Sequence, residues 1–349
     1  MGNEQPALAP LERYLRLTTA SPVQWLAALR LLSGSEQLTL CTSQAAGFSA
    51  SLSRLELDKG RVCGIFVNRS GYIYGMNADS LTLVSILDGQ ARLRDASGRQ
   101  LDCGAGHSFL MSPGQRFDIE LEGPTRALVV QYPGQPGHLP DGMSLLPGCI
   151  TNRVARYLSQ AKFWLSHHNA ARCTNDMLAD IENMLRGNDA VDSDHSFPLP
   201  SGSQEPDRRI QKVMELMEQK SDGPFELETL SSLAGVSTRN LYYLMRKHMG
   251  VTPYGYFQSR RLLRVRKALL ACQSDAPTVS WHALSEGFSH LGRFASVYRN
   301  QFGENPRETL KWRESLAQHI AEAQPVDAAG CDFDLCLTSR ATRHDPDNP

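Results

Sequence analysis

Hydrophobic positions change period along the chain. Over residues 7–32 they recur every third or fourth residue, through Leu8, Leu11 and Leu15 and then Trp25, Leu26, Leu29 and Leu32, which predicts one or two helices. From about 37 to 132 the apolar runs become short and β-rich: Leu38–Cys41, Ala50–Leu57, Val62–Val67, Tyr72–Met76, Leu81–Leu87, Ala91–Arg94, Ser108–Met111, Phe117–Leu121 and Ala127–Gln131. Asp88-Gly89 predicts a tight hairpin between two of them, and Ser112-Pro113-Gly114 and Glu122-Gly123-Pro124 predict further turns. Short strands at ~8–12 residue spacing favour a sandwich or barrel, and no helices alternate with them as a parallel sheet requires. After a Pro- and Gly-rich stretch from Pro133 to Pro147, two helices are expected at about 150–168 and 173–187. Val154, Tyr157, Leu158, Ala161 and Leu165 share one face of the first, and the pair could form a homodimer surface or pack on the β-rich part. Residues 188–206 read as a linker, and the polar tail after about 317 reads as disordered.

Between linker and tail one pattern occurs twice. Ser231-x3-Gly235-Val236-Ser237 continues to Leu241, Met245, Met249-Gly250 and Pro253, and Ala283-x3-Gly287-Phe288-Ser289 continues to Phe294, Tyr298, Phe302-Gly303 and Pro306. A small residue lets two helices cross closely, Gly turns the chain at positive φ, Ser caps the next helix, and Gly-x-x-Pro ends it. Each copy therefore predicts a helix-turn-helix. A helix opening at Asp207, with Ile210, Val213, Met214 and Met217 on one face, precedes the first copy. In the first copy Leu241, Leu244, Met245 and His248 are expected to face inward, leaving Arg239, Tyr242, Tyr243 and Arg246 on the opposite stripe. Such a stripe suits a DNA major groove, where Arg pairs with guanine edges and Tyr meets phosphate or a thymine methyl; Tyr243 could instead pack on a neighbouring helix. In the second copy Phe294, Val297, Tyr298 and Phe302 point inward, leaving His290, Arg293, Ser296 and Asn300 outward, with Arg299 toward phosphate. A long helix from Pro253 to Cys272 joins the copies, and at ~1.5 Å per residue it spans most of the ~34 Å between successive major grooves.

Charge sharpens this picture. The net charge is −1, yet residues 207–317 hold 17 Lys and Arg against 11 Asp and Glu. From Leu230 to Ser274 there is no acidic residue, while Arg239, Arg246, Lys247, Arg260, Arg261, Arg264, Arg266 and Lys267 fall there. A solvated helix face would account for such a run, but its position on the repeated module suggests a polyanion footprint. Eight scattered cysteines without a C-x2-C pair predict reduced thiols rather than zinc or disulfides. No apolar run of ~18 residues predicts a membrane span, and the start has neither a secretory signal nor a myristoylation motif, so the expected location is the cytoplasm.

The stretch Gly287-Phe288-Ser289-His290-Leu291-Gly292-Arg293-Phe294, followed by Tyr298-Arg299-Asn300-Gln301-Phe302-Gly303-Glu304-Asn305-Pro306, carries a specific likeness. Residues 207–313 resemble the DNA-binding region of the AraC/XylS family of transcription regulators, and Leu291-Gly292-Arg293-Phe294 with Thr309-Leu310 is similar to the branch that includes regulators of aromatic-acid catabolism. Ser231 and His282 depart from the family pattern, which has Ala and a buried Ile or Val there; His282 reads as a satisfied histidine more than a pH sensor. The resemblance implies an α+β multidomain chain: a cupin-like effector-binding β-barrel with flanking helices, then an all-α domain of two helix-turn-helix motifs on a linker helix. The divisions expected are an N-terminal helical segment 1–36, β-domain 37–148, helical pair 149–187, linker 188–206, DNA-binding domain 207–317 and tail 318–349. It also implies a double-stranded DNA operator, RNA polymerase and a small-molecule effector as partners, no cofactor and an activator's role. DNA contacts are expected from Arg239, Tyr242, Tyr243, Arg246, Arg260, Arg264, His290, Arg293, Ser296, Arg299 and Asn300. Arg61, Phe66, Tyr72 and Tyr74 are candidate lumen residues for the effector. His107 and His138 stand alone and His167-His168 cannot face one site, so a cupin metal site is disfavoured. Two other readings, a cupin-type enzyme fused to a DNA-targeting module and a DNA-alkylation-responsive regulator, need a ligand cluster or a Cys-rich zinc site that the sequence lacks.

Overall fold

The computed structural model describes residues 10–33, 37–42, 46–58, 60–132, 142–161, 164–185, 208–219, 224–271 and 278–322. The expected linker and most of the expected tail lie outside these residues. The chain divides into two units, residues 1–158 with 311–349, and residues 159–310.

Ten strands form one antiparallel sheet in the first unit: β1 (Leu15–Ala20), β2 (Thr39–Thr42), β3 (Ala50–Leu57), β4 (Gly60–Val67), β5 (Gly71–Ala78), β6 (Leu81–Asp95), β7 (Gln100–Gly104), β8 (Ser108–Met111), β9 (Gln115–Tyr132) and β10 (Met143–Leu145). The hydrogen-bonded path β1-β3-β4-β9-β6-β8-β10 does not close on itself; β5 joins β9 and β2, and β7 joins β6. Helix α1 (Pro22–Ser33) contributes the buried Trp25, Leu26 and Leu29 to the same core. The expected helix over Leu11 and Leu15 is corrected: Glu12–Tyr14 is a single 3-10 turn and Leu15–Ala20 a strand on β3. Leu15 and Leu17 alternate inward at period two, and burial against β3 outweighs a helical spacing carried by few residues.

Two further corrections concern turns. Asp88-Gly89 and Glu122-Gly123-Pro124 lie inside the long strands β6 and β9, facing one another across register shifts. Gly89 has φ +84°, and a Cβ there would stand 2.3 Å from the Pro124 carbonyl oxygen. The chain thus uses a turn-type dipeptide to bend two paired strands together, as a bulge does. The slip also changes which face points inward: Thr82, Val84 and Ile86 line the interior before it and Ala91 after it.

Helix α2 (Gly148–Ala161) buries Ile150, Val154 and Tyr157. In the second unit α3 (His167–Leu185) buries Ala170, Cys173, Met177 and Ile181. The remaining helices are α4 (Arg208–Gln219), α5 (Leu227–Ala234), α6 (Thr238–Met249), α7 (Pro253–Ala271), α8 (Val279–Ser285), α9 (Leu291–Phe302) and α10 (Pro306–Glu322). α3 packs on α9. From Lys311 onward α10 belongs to the first unit, where Trp312 Nε1 donates to the Arg16 carbonyl at 3.0 Å and Leu316 joins the core. The expected disordered tail therefore starts too early: the helix runs to Glu322, with Ile320 packed on that core.

Candidate nucleic-acid interface and interior cavity

Among the described residues of the second unit two apolar cores meet α7. Tyr256 and Phe257 pack with Ile210, Leu241 and Met245, whereas Leu262, Val265 and Leu269 pack with Phe294, Tyr298 and Phe302. Each core seats one repeat. In the first, Gly235 ends α5 at φ +67°, and the Ser237 hydroxyl accepts from the Asn240 N–H at 3.2 Å. Ser231 is buried and its hydroxyl donates to the Glu228 carbonyl at 2.9 Å, which satisfies the polar atom that Ala would lack. In the second repeat Thr278 caps α8 through the Trp281 N–H, and Gly287 turns at φ +76°. Here Ser289 does not cap. His290 holds that position with no side-chain cap bond.

Seating α6 on Leu241, Leu244, Met245 and Met249 turns its other face outward. Arg239, Tyr242, Tyr243 and Arg246 are all exposed, and Tyr243, at 59%, is not packed on a neighbour. The Lys247 ammonium lies 5.7 Å from the Tyr243 ring centre, adding a cation to this stripe that the pattern of apolar positions did not single out. The side chain of His248 lies outside the described residues. On α9, Phe294, Tyr298 and Phe302 are buried, and His290, Arg293, Ser296, Arg299 and Asn300 are exposed. Gln301 Nε2 donates to the Ser259 carbonyl at 3.2 Å, tying α9 to α7.

The basic run on α7 is used differently from its expected role as a continuous footprint. Arg261 lies over the Phe257 and Phe288 rings at 5.6 and 4.9 Å, and burial lowers its pKa. Arg264 Nε donates to Glu286 at 2.8 Å, a contact within the fold. Arg266 is fully buried and donates to Glu304 at 2.7 Å and Tyr298 at 3.5 Å. The Tyr298 and Thr309 hydroxyls are 2.8 Å apart, and Thr309 donates to Glu304 at 2.7 Å. Burial works against the Arg266 charge, but Tyr298 and Glu304 offset it and its pKa is raised. The cause is topological: a helix packed on both modules has little free surface for charge. Arg260, half-buried, stays on the same helix.

His282 is buried, edge-on to Trp281, and burial lowers its pKa. Among the described residues no group of three or more His, Cys, Asp or Glu side chains could hold a metal ion. No described helix is long and apolar enough to cross a membrane.

The first unit contains a cavity of about 120 Å³, lined by strand residues such as Ile65, Ile73, Ile86 and Phe109 and by Trp25 of α1. None of the candidate effector residues lines it. On β4 Cys63 and Ile65 point into it, which puts Phe66 on the other face; on β5 Ile73 points in, which does the same for Tyr72 and Tyr74, whose rings stack at 4.3 Å. Arg61 is held by the Leu32 carbonyl at 3.0 Å. The polar lining residue Gln131 went unremarked because it is neither charged nor aromatic.

Residues 230–311 match a family described as a helix-turn-helix domain. Over 102 residues the chain is 40% identical to the XylDLEGF operon transcriptional activator of Pseudomonas putida, covering 29% of this chain and 32% of that protein. Residues 230–311 are thus similar to the DNA-binding region of the AraC/XylS family. XylDLEGF operon transcriptional activator 2 of the same organism is 40% identical over 101 residues, 29% of this chain and 64% of that protein. A solved structure of a probable AraC family transcriptional regulator from Rhodopseudomonas palustris CGA009 shares 34% identity, covering 30% of this chain and 96% of that one, with a TM-score of 0.29. The chain spans about a third of the length of the first of these curated relatives.

Proposed function

We propose that this chain is a sequence-specific DNA-binding transcription regulator of the AraC/XylS family, an activator that responds to a small molecule held in its first unit. One observation carries the reading. Two repeated helix-turn-helix modules, each seated on its own half of α7, leave Arg239, Tyr242, Tyr243 and Arg246 on one helix and Arg293, Ser296, Arg299 and Asn300 on another exposed. Arginine at those positions suits guanine edges and phosphate. α7 has 19 residues, so at ~1.5 Å per residue it spans most of the ~34 Å between successive major grooves. A single chain then reads two adjacent half-sites of one duplex, with residues 207–317 as the DNA-binding domain. Residues 37–148 are proposed as a cupin-like effector domain, supported by the antiparallel sheet and its interior cavity. RNA polymerase is the partner through which an activator acts.

Sequencing DNA fragments bound by the full chain tests this. The expected result is a two-part motif with halves about 10–10.5 bp apart and affinity that falls steeply with salt. Binding with no preference over random competitor DNA at moderate ionic strength refutes it.

A further inference from the structure

The exposed helices of the two modules, α6 and α9, can be matched residue for residue. Each runs for 12 residues and ends at a left-handed glycine, Gly250 in one and Gly303 in the other. Counting from the repeated Gly-x-Ser would set Ser237 against Ser289, and so the buried Leu241 against the exposed Arg293. The structure shifts the match by one residue, because Ser237 precedes α6 whereas His290 precedes α9. Leu241, Met245 and Met249 then coincide with Phe294, Tyr298 and Phe302, all six buried, which fixes the register. The outward positions follow from it. Arg246 falls on Arg299, the same residue at the same place on both helices, and both are exposed. Arg239 falls on Gly292, so Arg239 and Arg293 are not equivalent; their positions differ by one residue, about 100° around the helix. The equivalent of Arg293 is Asn240, partly exposed in the first turn of α6. The Asn240 backbone N–H donates to the Ser237 hydroxyl at 3.2 Å, while among the described residues its amide group and the Arg293 guanidinium are not tied down by a hydrogen bond within the fold. The two side chains differ in chemistry. A guanidinium has only donors and matches O6 and N7 of guanine, whereas a carboxamide pairs a donor with an acceptor and matches N6 and N7 of adenine.

We propose that Asn240 determines base specificity: it selects adenine in one half-site, at the position where Arg293 selects guanine in the other. This rests on reading α6 and α9 as the helices that enter the DNA grooves. Arg246 and Arg299, shared by both, suit phosphate contacts that place each helix in the same pose, so the change of base at this position follows from the change of side chain.

Selection of bound duplexes from a randomised pool by the full chain, followed by competition binding with single-base variants of the selected site, tests the proposal. The wild-type motif is expected to hold an adenine about 10–10.5 bp from a guanine at the matching place in the other half. Replacing that adenine should weaken binding about 5- to 150-fold, the worth of one bidentate base contact. Asn240→Arg should change the preference at that position from adenine to guanine, and Arg293→Asn should change the matching guanine to adenine, with the rest of the motif kept. The untouched half-site is the folding control, since a variant that still reads it is folded. A wild-type motif without the matched adenine and guanine, an adenine preference undiminished in Asn240→Arg, equal weakening on every sequence, or an Arg293→Asn variant that keeps guanine overturns the proposal. The wild-type series decides alone if a variant reads neither half. Selection that enriches no motif at all rejects the regulator reading, whereas a two-part motif lacking the predicted adenine rejects the role of Asn240 alone.

Discussion

Glu304→Ala removes an acidic partner of a guanidinium that has no access to solvent. Arg266 is fully buried and donates to Glu304 at 2.7 Å and to Tyr298 at 3.5 Å. Glu304 also accepts from Thr309, so the substitution strips two bonds from a network connecting α7, α9 and α10. Breaking a buried ion pair from one side costs about 3–5 kcal/mol, because the remaining charge stays desolvated. For a unit the size of residues 159–310, each kcal/mol lowers the midpoint by about 2–4 °C, which gives a drop of about 6–20 °C. Urea unfolding and scanning calorimetry of the full chain measure both quantities. The double variant Arg266→Met with Glu304→Leu should recover most of the loss, since apolar replacement of a buried pair is often neutral or stabilising by about 1–4 kcal/mol. The reasoning is refuted if Glu304→Ala costs less than about 1 kcal/mol, or if the double variant is no more stable than the single one.

Arg239→Ala and Arg293→Ala should each cost roughly 1–3 kcal/mol on the operator and relax base preference at one position; competition binding against single-base operator variants reads both effects. Arg246→Ala and Arg299→Ala should instead weaken binding evenly across sequences and lower the salt slope by about 1, measured by titrating salt. Because burial depresses His282 below its unfolded pKa of 6.5, the unfolded chain binds more protons than the native one as pH falls. Stability is therefore complete above about 6.5 and declines below it, and His282→Leu should flatten melting curves taken between pH 7 and 5. Gly89→Ala should destabilise by clearly more than the ~1–2 kcal/mol of left-handed strain alone, because its Cβ meets the Pro124 carbonyl; Gly98→Ala, at φ +86° with nothing within 4 Å, is the melting-point control.

The second unit was legible because its determinants are local. Gly235, Ser237 and the fourfold spacing of Leu241, Met245 and Met249 each act within a few residues, and the structure keeps their order. Ser289 was misread as a cap since two positions, Ser289 and His290, compete for it and the spacing alone does not choose. Charge on α7 was misjudged for a different reason. Whether Arg261, Arg264 and Arg266 face solvent depends on Phe288, Glu286 and Glu304, residues more than twenty positions away. The sheet hid its cavity for a similar reason: Asp88-Gly89 looks like a hairpin until β9 supplies the bend opposite, and after that slip the inward face of β6 changes parity. Strand existence could be read from residues 50–57 or 108–111; which side of a strand meets the cavity could not.

The sharing of α7 between two cores has a directional consequence. The two helices proposed to read DNA are unlike in sequence, Arg239-Tyr242-Tyr243-Arg246 on one and Arg293-Ser296-Arg299-Asn300 on the other, and 19 helical residues fix their order and spacing. The preferred site then has a head and a tail, with no dyad through its centre. Reversing it in front of a promoter would keep every base contact while turning the bound protein to face upstream. Transcription would fall with occupancy unchanged, and one alanine added to α7, a rotation of about 100°, would put the two halves out of phase.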